Sequence, residues 1–328
     1  MKHLYLLLYL FIISSTILNA EIWKLKNISF QTENDADIRD DGDYTYGGSL
    51  GILFFREALE SSILHIPFTD YKSADNYISF NFTQKMYTPQ NFTSTELIKD
   101  DRPYAGYMYL QSSLHQSLNR TLKSLTLQVG MVGSSVKMKE VQTIIHSLIG
   151  SEKPKGWNYQ LKDEAIVQLN YSQKKYYNLD YILDNKFSSS IVPEFGVELG
   201  NASSKLYTSA LFRWGKNVPK DYGSSFIDNT NYSKIPLVKK EKEQKKWRYY
   251  LNLGLKANLI ARDIFLDGNS FKDSNSVTKN NFTVDIIYGL SFAYKKFEID
   301  YIRKHSTKEF KEQKDYYSYG SLLLSYNF

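Results

Sequence analysis

The sequence predicts an all-β protein, a twelve-stranded antiparallel transmembrane β-barrel with a short helix in an extracellular loop. Long segments alternate between large apolar and small or polar side chains, which is the period of a strand with two different faces. Aromatic residues make up 15% of the 328 residues, yet the mean hydropathy is −0.43. A transmembrane barrel has this composition because each strand has one face in lipid and one face in a polar lumen.

The first residues predict export. Met1 and Lys2 form a positive start, an apolar run covers residues 4–13, and Leu18-Asn19-Ala20 has the small residues of a cleavage site. The apolar run is shorter than the ~20 residues of a transmembrane helix. We therefore expect a cleaved signal peptide over residues 1–20 and an outer-membrane barrel over residues 21–328.

Alternation is clearest in the segment 282–294, where Phe282, Val284 and Ile286 begin an apolar face that continues to Tyr294. Strands of soluble sheets average ~5–6 residues, so this length favours a barrel over a soluble sandwich. Twelve segments alternate, and single-chain bacterial barrels have an even number of strands. The predicted strands are 27–33, 44–56, 76–87, 104–118, 121–133, 161–171, 190–199, 205–215, 247–262, 281–294, 296–305 and 317–328.

The two ends of the predicted barrel differ in their connections. With the N-terminus in the periplasm, the odd-to-even connections lie outside the cell, where long loops are expected. Periplasmic turns should be short, and the connections 58–76 and 216–246 do not fit that expectation. The last strand ends on Phe328, which resembles the signal by which outer-membrane barrels are recognised for assembly.

Charge and cysteine content narrow the function. The chain has no cysteine, which excludes disulfides, thiolate metal sites and cysteine nucleophiles. Its net charge is +6, and a basic balance suits polyanions. An exported protein meets anionic outer-membrane lipid rather than nucleic acid, so we expect lipid partners and no nucleic acid.

One segment of the third outside loop departs from strand periodicity. Met138, Val141, Ile145 and Leu148 recur at helical spacing, and Gly150 is a natural helix stop. The sequence therefore predicts a short amphipathic helix in this extracellular loop.

This helix carries a candidate general base. His146 and Gln142 are four residues apart and project from one helix face, and Glu152 lies just past the stop, where the chain can turn it back. A histidine held by a carboxylate can act as a base at neutral pH. A surface histidine on a loop helix explains the same spacing.

Two further candidates lie at the outer ends of the first two strands. Asn34 and Asp35 belong to a cluster of residues with carboxylate and amide oxygens, which are suitable ligands for a hard cation such as Ca²⁺. A polar turn that binds no metal would have the same residues. Thr45 lies on the face of its strand that is opposite the large apolar residues. We therefore expect its side chain to point into the lumen beside this turn. A packing role for Thr45 is an equal alternative.

Three groups of residues together resemble the lipid A 3'-O-deacylase family of outer-membrane barrels. They occur in family order within residues 27–160, and the C-terminal half matches only as strands. The matching groups are Asn34-Asp35 with Gly42-Asp43-Tyr44-Thr45-x-Gly47, Tyr87-Thr88-Pro89 with Asp101-Arg102-Pro103-Tyr104-Ala105-Gly106, and Glu140-Val141-Gln142-x-x-x-His146-x-x-Ile149-Gly150-x-Glu152 with Trp157.

The resemblance implies a carboxylic ester hydrolase that needs Ca²⁺ and removes the 3'-linked acyloxyacyl chain from lipid A in the outer leaflet. It implies His146 as the general base, Glu152 and Gln142 as residues that orient it, and Asp35 as a Ca²⁺ ligand. Asn34 and Thr45 would place the ester carbonyl and stabilise the oxyanion. A lysine of the best-known member has no counterpart in 90–98, and Lys99 or Arg102 could supply its charge.

Two other readings compete with this one. An outer-membrane phospholipase has the same architecture but uses a His-x-Ser pair on one strand, whereas His146 lies on the predicted helix. A porin or adhesin is a barrel without catalysis. We expect a monomer in the outer membrane whose partners are lipid A, or lipopolysaccharide, and other outer-membrane lipids.

Overall fold

The computed structural model describes residues 23–35, 43–56, 66–67, 69–70, 72–180, 187–224, 234–237, 246–314 and 316–328. The predicted signal peptide, residues 1–20, lies outside the described residues. So does Asp37, an acidic residue two positions after Asp35.

Twelve long antiparallel strands form a single sheet that closes on itself, because each strand pairs with its neighbour and the last pairs back with the first. A two-residue strand, Tyr177–Asn178, adds to the edge of the seventh. This confirms the predicted twelve-stranded barrel. In chain order the strands are β1 (Lys24–Asn34), β2 (Asp43–Arg56), β3 (Asp75–Thr88), β4 (Ala105–Leu118), β5 (Thr121–Val132), β6 (Glu164–Lys175), β7 (Ser188–Gly200), β8 (Ser203–Lys216), β9 (Trp247–Asp263), β10 (Phe282–Tyr294), β11 (Phe297–Ser306) and β12 (Tyr317–Asn327).

The sixth strand begins later than the sequence predicts. The backbone N–H of Leu161 donates to the carbonyl of Tyr104, at 2.9 Å, and that of Lys162 donates to the side chain of Asn269, at 2.8 Å. These residues therefore belong to the loop layer, and β6 starts only at Glu164.

The outer wall of the barrel is apolar. One face of each strand carries large exposed side chains, such as Leu50, Phe82, Leu110 and Leu290. The alternating residues face the lumen and are mostly buried polar or charged groups. This exposed apolar band is the surface that a transmembrane barrel presents to acyl chains.

The structure also contains short helices. Helix α1 (Met138–Ile149) lies in the third outer loop and ends at Gly150, whose φ of 74° suits glycine. This confirms the predicted helix. Helix α2 (Ile264–Asp267) follows β9. Within the described part of the chain, no helix is long and apolar enough to span a bilayer.

The periplasmic end of the lumen is closed by the connection between β8 and β9. Tyr222 and Ile235 of this connection are 1% and 0% exposed and pack with the lumen residues Leu53, Phe55 and Tyr77. The described parts of this long connection, 217–224 and 234–237, therefore fold back into the barrel.

Buried ion pairs hold the same connection in place. Lys234 pairs with Glu298, at 2.8 Å, and with Asp300, both on β11. Arg213 of β8 pairs with Asp221 and is fully buried. Charges removed from water need such partners, so these pairs define where the connection sits.

Candidate active site on the outer wall

Helix α1 packs against the outside of the barrel. Met138 is 2% exposed and shares an apolar cluster with Met86 of β3 and with Tyr104 and Trp157 of the outer loops. Met86 lies on the same strand face as Phe82, which belongs to the exposed apolar band. The helix therefore covers the lipid-facing wall at its extracellular end.

Gly106 of β4 allows this close packing. A Cβ atom at position 106 would lie 2.8 Å from Cγ and 2.9 Å from Cβ of Met138. Carbon atoms do not approach so closely. A larger residue here would displace the N-terminal turn of α1.

The imidazole of His146 is held in one tautomer. His146 is 3% exposed, and its Nδ1 lies 2.5 Å from the backbone carbonyl oxygen of Glu152. Since a carbonyl only accepts, Nδ1 carries the hydrogen and Nε2 of the neutral ring is the nitrogen that can take a proton. The ring of Phe92 stands edge-on to the imidazole, with centroids 5.5 Å apart.

Glu152 contacts this histidine through its backbone. Its side chain is exposed to solvent, so the group that holds the imidazole is the peptide carbonyl after the turn at Gly150. The sequence reasoning placed a carboxylate in that role. The peptide carbonyl fixes the tautomer in the same way, but without a full negative charge.

Gln142 lies one helical turn before His146 and is fully buried. Its Oε1 accepts a hydrogen bond from the indole N–H of Trp157, at 2.7 Å. Among the described residues its Nε2 finds no acceptor. A buried side-chain N–H without an acceptor is unusual. The hydrogen bond from the indole of Trp157 to Oε1 fixes the direction in which this N–H points.

A β-bulge turns the hydroxyl of Thr45 away from the lumen. The pairing of β2 with β3 shifts between Tyr44 and Tyr46, so Thr45 is the extra residue of the bulge. Its Oγ1 lies 2.6 Å from Oγ1 of Thr88. Tyr87 lines the lumen, and alternation puts Thr88 on the outer face. The expectation of a lumen-facing Thr45 assumed a regular strand, which the bulge interrupts.

Asn34 ties the end of β1 to this bulge. Its side-chain Nδ2 donates to the backbone carbonyl of Thr45, at 3.0 Å, and Asp35 follows directly and is 4% exposed. Tyr46, also of the bulge, packs on the apolar cluster beneath α1, as does Val141 of the helix. The bulge and the helix that carries His146 thus share the outer wall.

The oxygen donors here are of the kind that Ca²⁺ prefers, a carboxylate at Asp35 with amide and carbonyl oxygens beside it. Within the described ranges, no three His, Asp or Glu side chains are grouped closely enough to hold a metal ion. Positions 37, 40 and 41, which are acidic, fall outside those ranges. The donor chemistry of Asp35 and its neighbours fits a hard cation.

A separate polar cavity of about 110 Å³ lies in the outer part of the lumen. Arg102 lines it and pairs with Glu309 at 2.5 Å, with the rings of Tyr87, Phe310 and Tyr317 around its guanidinium. Arg102, considered above as a source of positive charge, is therefore engaged inside the barrel. None of the predicted site residues lines this cavity.

Sequence reasoning missed three contributors to the site. They are the hydroxyl of Thr88, the ring of Phe92 and the backbone carbonyl of Glu152. Thr88 belongs to the group Tyr87-Thr88-Pro89, which matches the family, so it could have been found from that match. The ring contact of Phe92 and the backbone carbonyl of Glu152 could not be predicted in this way, because neither contact follows from the type of residue in a motif.

The fold and the site together define an outer-membrane β-barrel with a histidine-containing polar site on its outer wall. The chain belongs to the family described as Outer membrane protein LpxR, which it matches over residues 4–328. This assigns the protein to the outer membrane.

LpxR from Salmonella typhimurium is similar over 92% of this chain and 100% of its own, with 21% identity and a TM-score of 0.75. The translocator domain of autotransporter NalP from Neisseria meningitidis covers 100% of this chain and 96% of its own, with 9% identity and a TM-score of 0.42. No curated protein sequence matches.

Proposed function

We propose that this protein is a Ca²⁺-dependent hydrolase that removes the 3'-linked acyloxyacyl chain from lipid A in the outer leaflet. Its membership of the LpxR family supports an enzyme that modifies lipid A in the outer membrane. The observation that carries the proposal is the buried His146, whose Nδ1–H is bound by the carbonyl of Glu152 on the lipid-facing side of the wall.

The proton transfers follow from this tautomer. Nε2 of His146 takes a proton from water as the water oxygen attacks the ester carbonyl carbon. The tetrahedral intermediate collapses with cleavage of the bond to the sugar oxygen, and the imidazolium returns the proton to that oxygen. The products are a fatty acid, which releases its proton to solvent, and a sugar hydroxyl. Gln142, whose side-chain Oε1 accepts the indole N–H of Trp157, would orient the water or the ester through its amide N–H.

The carbonyl oxygen becomes negative in this reaction and needs donors. We assign the Thr45 hydroxyl and Asn34 to this role, with Asp35 as the residue that would hold Ca²⁺. A bound Ca²⁺ would supply positive charge where the oxyanion develops. Loss of one oxyanion donor typically costs about 3–4 kcal/mol in the barrier.

The lumen argues against a porin. Lys205 lies 3.3 Å from Glu198, and Lys304 lies 3.5 Å from Asp285, so charges of opposite sign on neighbouring strands pair along the lumen side of the wall. The cavity of about 110 Å³ holds only a few waters. With the periplasmic end filled by Tyr222 and Ile235, the described structure offers no wide aqueous path.

The test is mass spectrometry of lipid A from cells with the wild-type protein or with His146→Ala. We expect the wild type to release the 3'-linked chain and the variant to lose about 10²–10⁴-fold in rate, since it lacks the base. Ser147→Ala, an exposed change on the same helix, is the matched control. An active His146→Ala variant would remove this histidine from the mechanism.

A parallel assay on phospholipid separates the competing esterase. Purified protein should release fatty acid from lipid A and leave phosphatidylethanolamine intact. Cleavage of phospholipid with lipid A untouched would favour the phospholipase instead.

Removal of Ca²⁺ tests the role of Asp35. A Ca²⁺ chelator should abolish activity, and added Ca²⁺ should restore it. Asp35→Asn should need more Ca²⁺ for half-maximal rate. If the chelated enzyme keeps its full rate, Asp35 is not a metal ligand.

A further inference from the structure

Helix α1 has two exposed flanks of opposite character. At 3.6 residues per turn, Met138, Gln142 and His146 lie on the face that is buried against the wall. On one side of that face, Ile144 is 60% and Leu148 81% exposed. The other side carries the polar residues Lys139, Thr143 and Ser147.

The apolar flank adjoins a surface that already faces lipid. The exposed band below α1 includes Phe82, Leu110 and Leu127, on β3, β4 and β5. On the same faces of the same strands, nearer the outer end, Met86, Met108 and Met131 belong to the cluster on which α1 packs. The band of the barrel therefore continues directly into the helix.

The charges around the helix suit an anionic headgroup layer. Lys139 lies on α1, and Lys137, Lys153 and Lys155 flank it. All four are exposed, and they outnumber the exposed Glu140 and Glu152 of the same region. Basic residues on the polar side and large apolar residues on the other side are typical of a helix that lies in a membrane interface. The outer leaflet supplies both the acyl chains and the phosphates.

We propose that the flank formed by Ile144 and Leu148 is immersed in the acyl-chain region of the outer leaflet. The helix then lies half in lipid, with its lysines at the level of the phosphates. His146, on the buried face of the same helix, is held at the depth where ester bonds of membrane lipids lie. The inference rests on the barrel's place in the outer membrane and not on the reaction.

Single-cysteine variants test this placement cleanly, because the natural chain has no cysteine. Leu148→Cys and the adjacent Ser147→Cys are each labelled with the fluorophore NBD in the full-length protein. The proteins are reconstituted in vesicles of phosphatidylethanolamine and phosphatidylglycerol. Ile144→Cys and Thr143→Cys form a second pair on the same two flanks.

We expect the label at 148 to be blue-shifted, quenched by lipids with a doxyl group in the acyl chain, and several-fold less accessible to iodide than the label at 147. Equal iodide quenching at 147 and 148 would overturn the proposal. A label at 148 shielded from both iodide and doxyl lipid would also overturn it, because a protein surface would then cover the flank. The readout needs no hydrolysis, so it is independent of the proposed reaction.

Discussion

The two ends of the barrel are covered in different ways. At the periplasmic end the β8–β9 connection enters the lumen, where Lys234 meets Glu298 and Asp300. At the outer end the third loop folds over the outside, and Met138 seats α1 on the lipid-facing wall. Buried charge pairs therefore hold the β8–β9 connection, whereas apolar packing around a buried histidine holds α1.

The difference separates stability from function. Charged groups inside the lumen are removed from water. Loss of the partner of any one of them therefore lowers the stability of the folded barrel. The outer wall is in contact with lipid, so a base placed there can reach a substrate in the membrane. Changes at the periplasmic end should therefore act on stability alone, and changes under α1 should act on the proposed hydrolysis.

The largest effect is expected at the inner end. Lys234→Ala leaves Asp300, which is 1% exposed, without this cation, and breaking a buried pair costs about 3–5 kcal/mol. The temperature at which the barrel loses its heat-modifiable migration on a gel should fall. Activity per folded molecule should stay the same. Lys220→Ala, an exposed change in the same connection, should do little, and equal destabilisation by both would contradict the assigned role of Lys234.

The next effect concerns the seating of α1. Gly106→Val should push Met138 outward, because a Cβ there already lies within 2.8 Å of its side chain. Displacement of a catalytic group by about 1 Å can cost about 10²-fold in rate. We expect kcat to fall while the barrel stays folded, and Met138→Ala in the same chain should restore part of it. An unchanged kcat in Gly106→Val would show that this contact does not position His146.

The smallest effect is a pH dependence in the loop before α1. Asp163 accepts hydrogen bonds from the backbone N–H of Ser135, at 2.8 Å, and from its hydroxyl, at 2.5 Å. Partial burial would raise the pKa of this carboxyl, but the bonds from Ser135 and Ser134 outweigh it and lower the pKa. A lowered pKa in the folded state stabilises the loop above the unfolded value of about 4, and the effect is lost as pH falls through the lowered pKa.

Hydrogen exchange of residues 134–137 checks this expectation. Protection in the wild type should weaken when pH falls below about 4. Asp163→Asn should reduce protection at neutral pH by about 1 kcal/mol and remove the acid transition. An acid transition that persists in Asp163→Asn would assign it to another group.

Much of this architecture could be predicted from local sequence. In the segment 282–294 every second residue is large and apolar. This pattern predicts a strand, which is observed as Phe282–Tyr294. Helix α1 was evident from apolar residues at helical spacing and from Gly150. Both patterns repeat within a few residues, so no distant part of the chain is needed to read them. The residue types of the site were likewise visible in its motifs.

The sequence by itself determined the strand count, the helix and the identities of the candidate site residues, because these follow from periodicity and residue type. Only the tertiary structure decided that the Thr45 hydroxyl meets Thr88, that the backbone carbonyl of Glu152 holds His146, and that the β8–β9 connection enters the lumen. Each of these depends on a bulge, a main-chain acceptor or a contact distant in sequence. A bulge and a main-chain acceptor do not depend on residue type, and the contacts of the connection join segments distant in sequence, so no pattern of residue types encodes them.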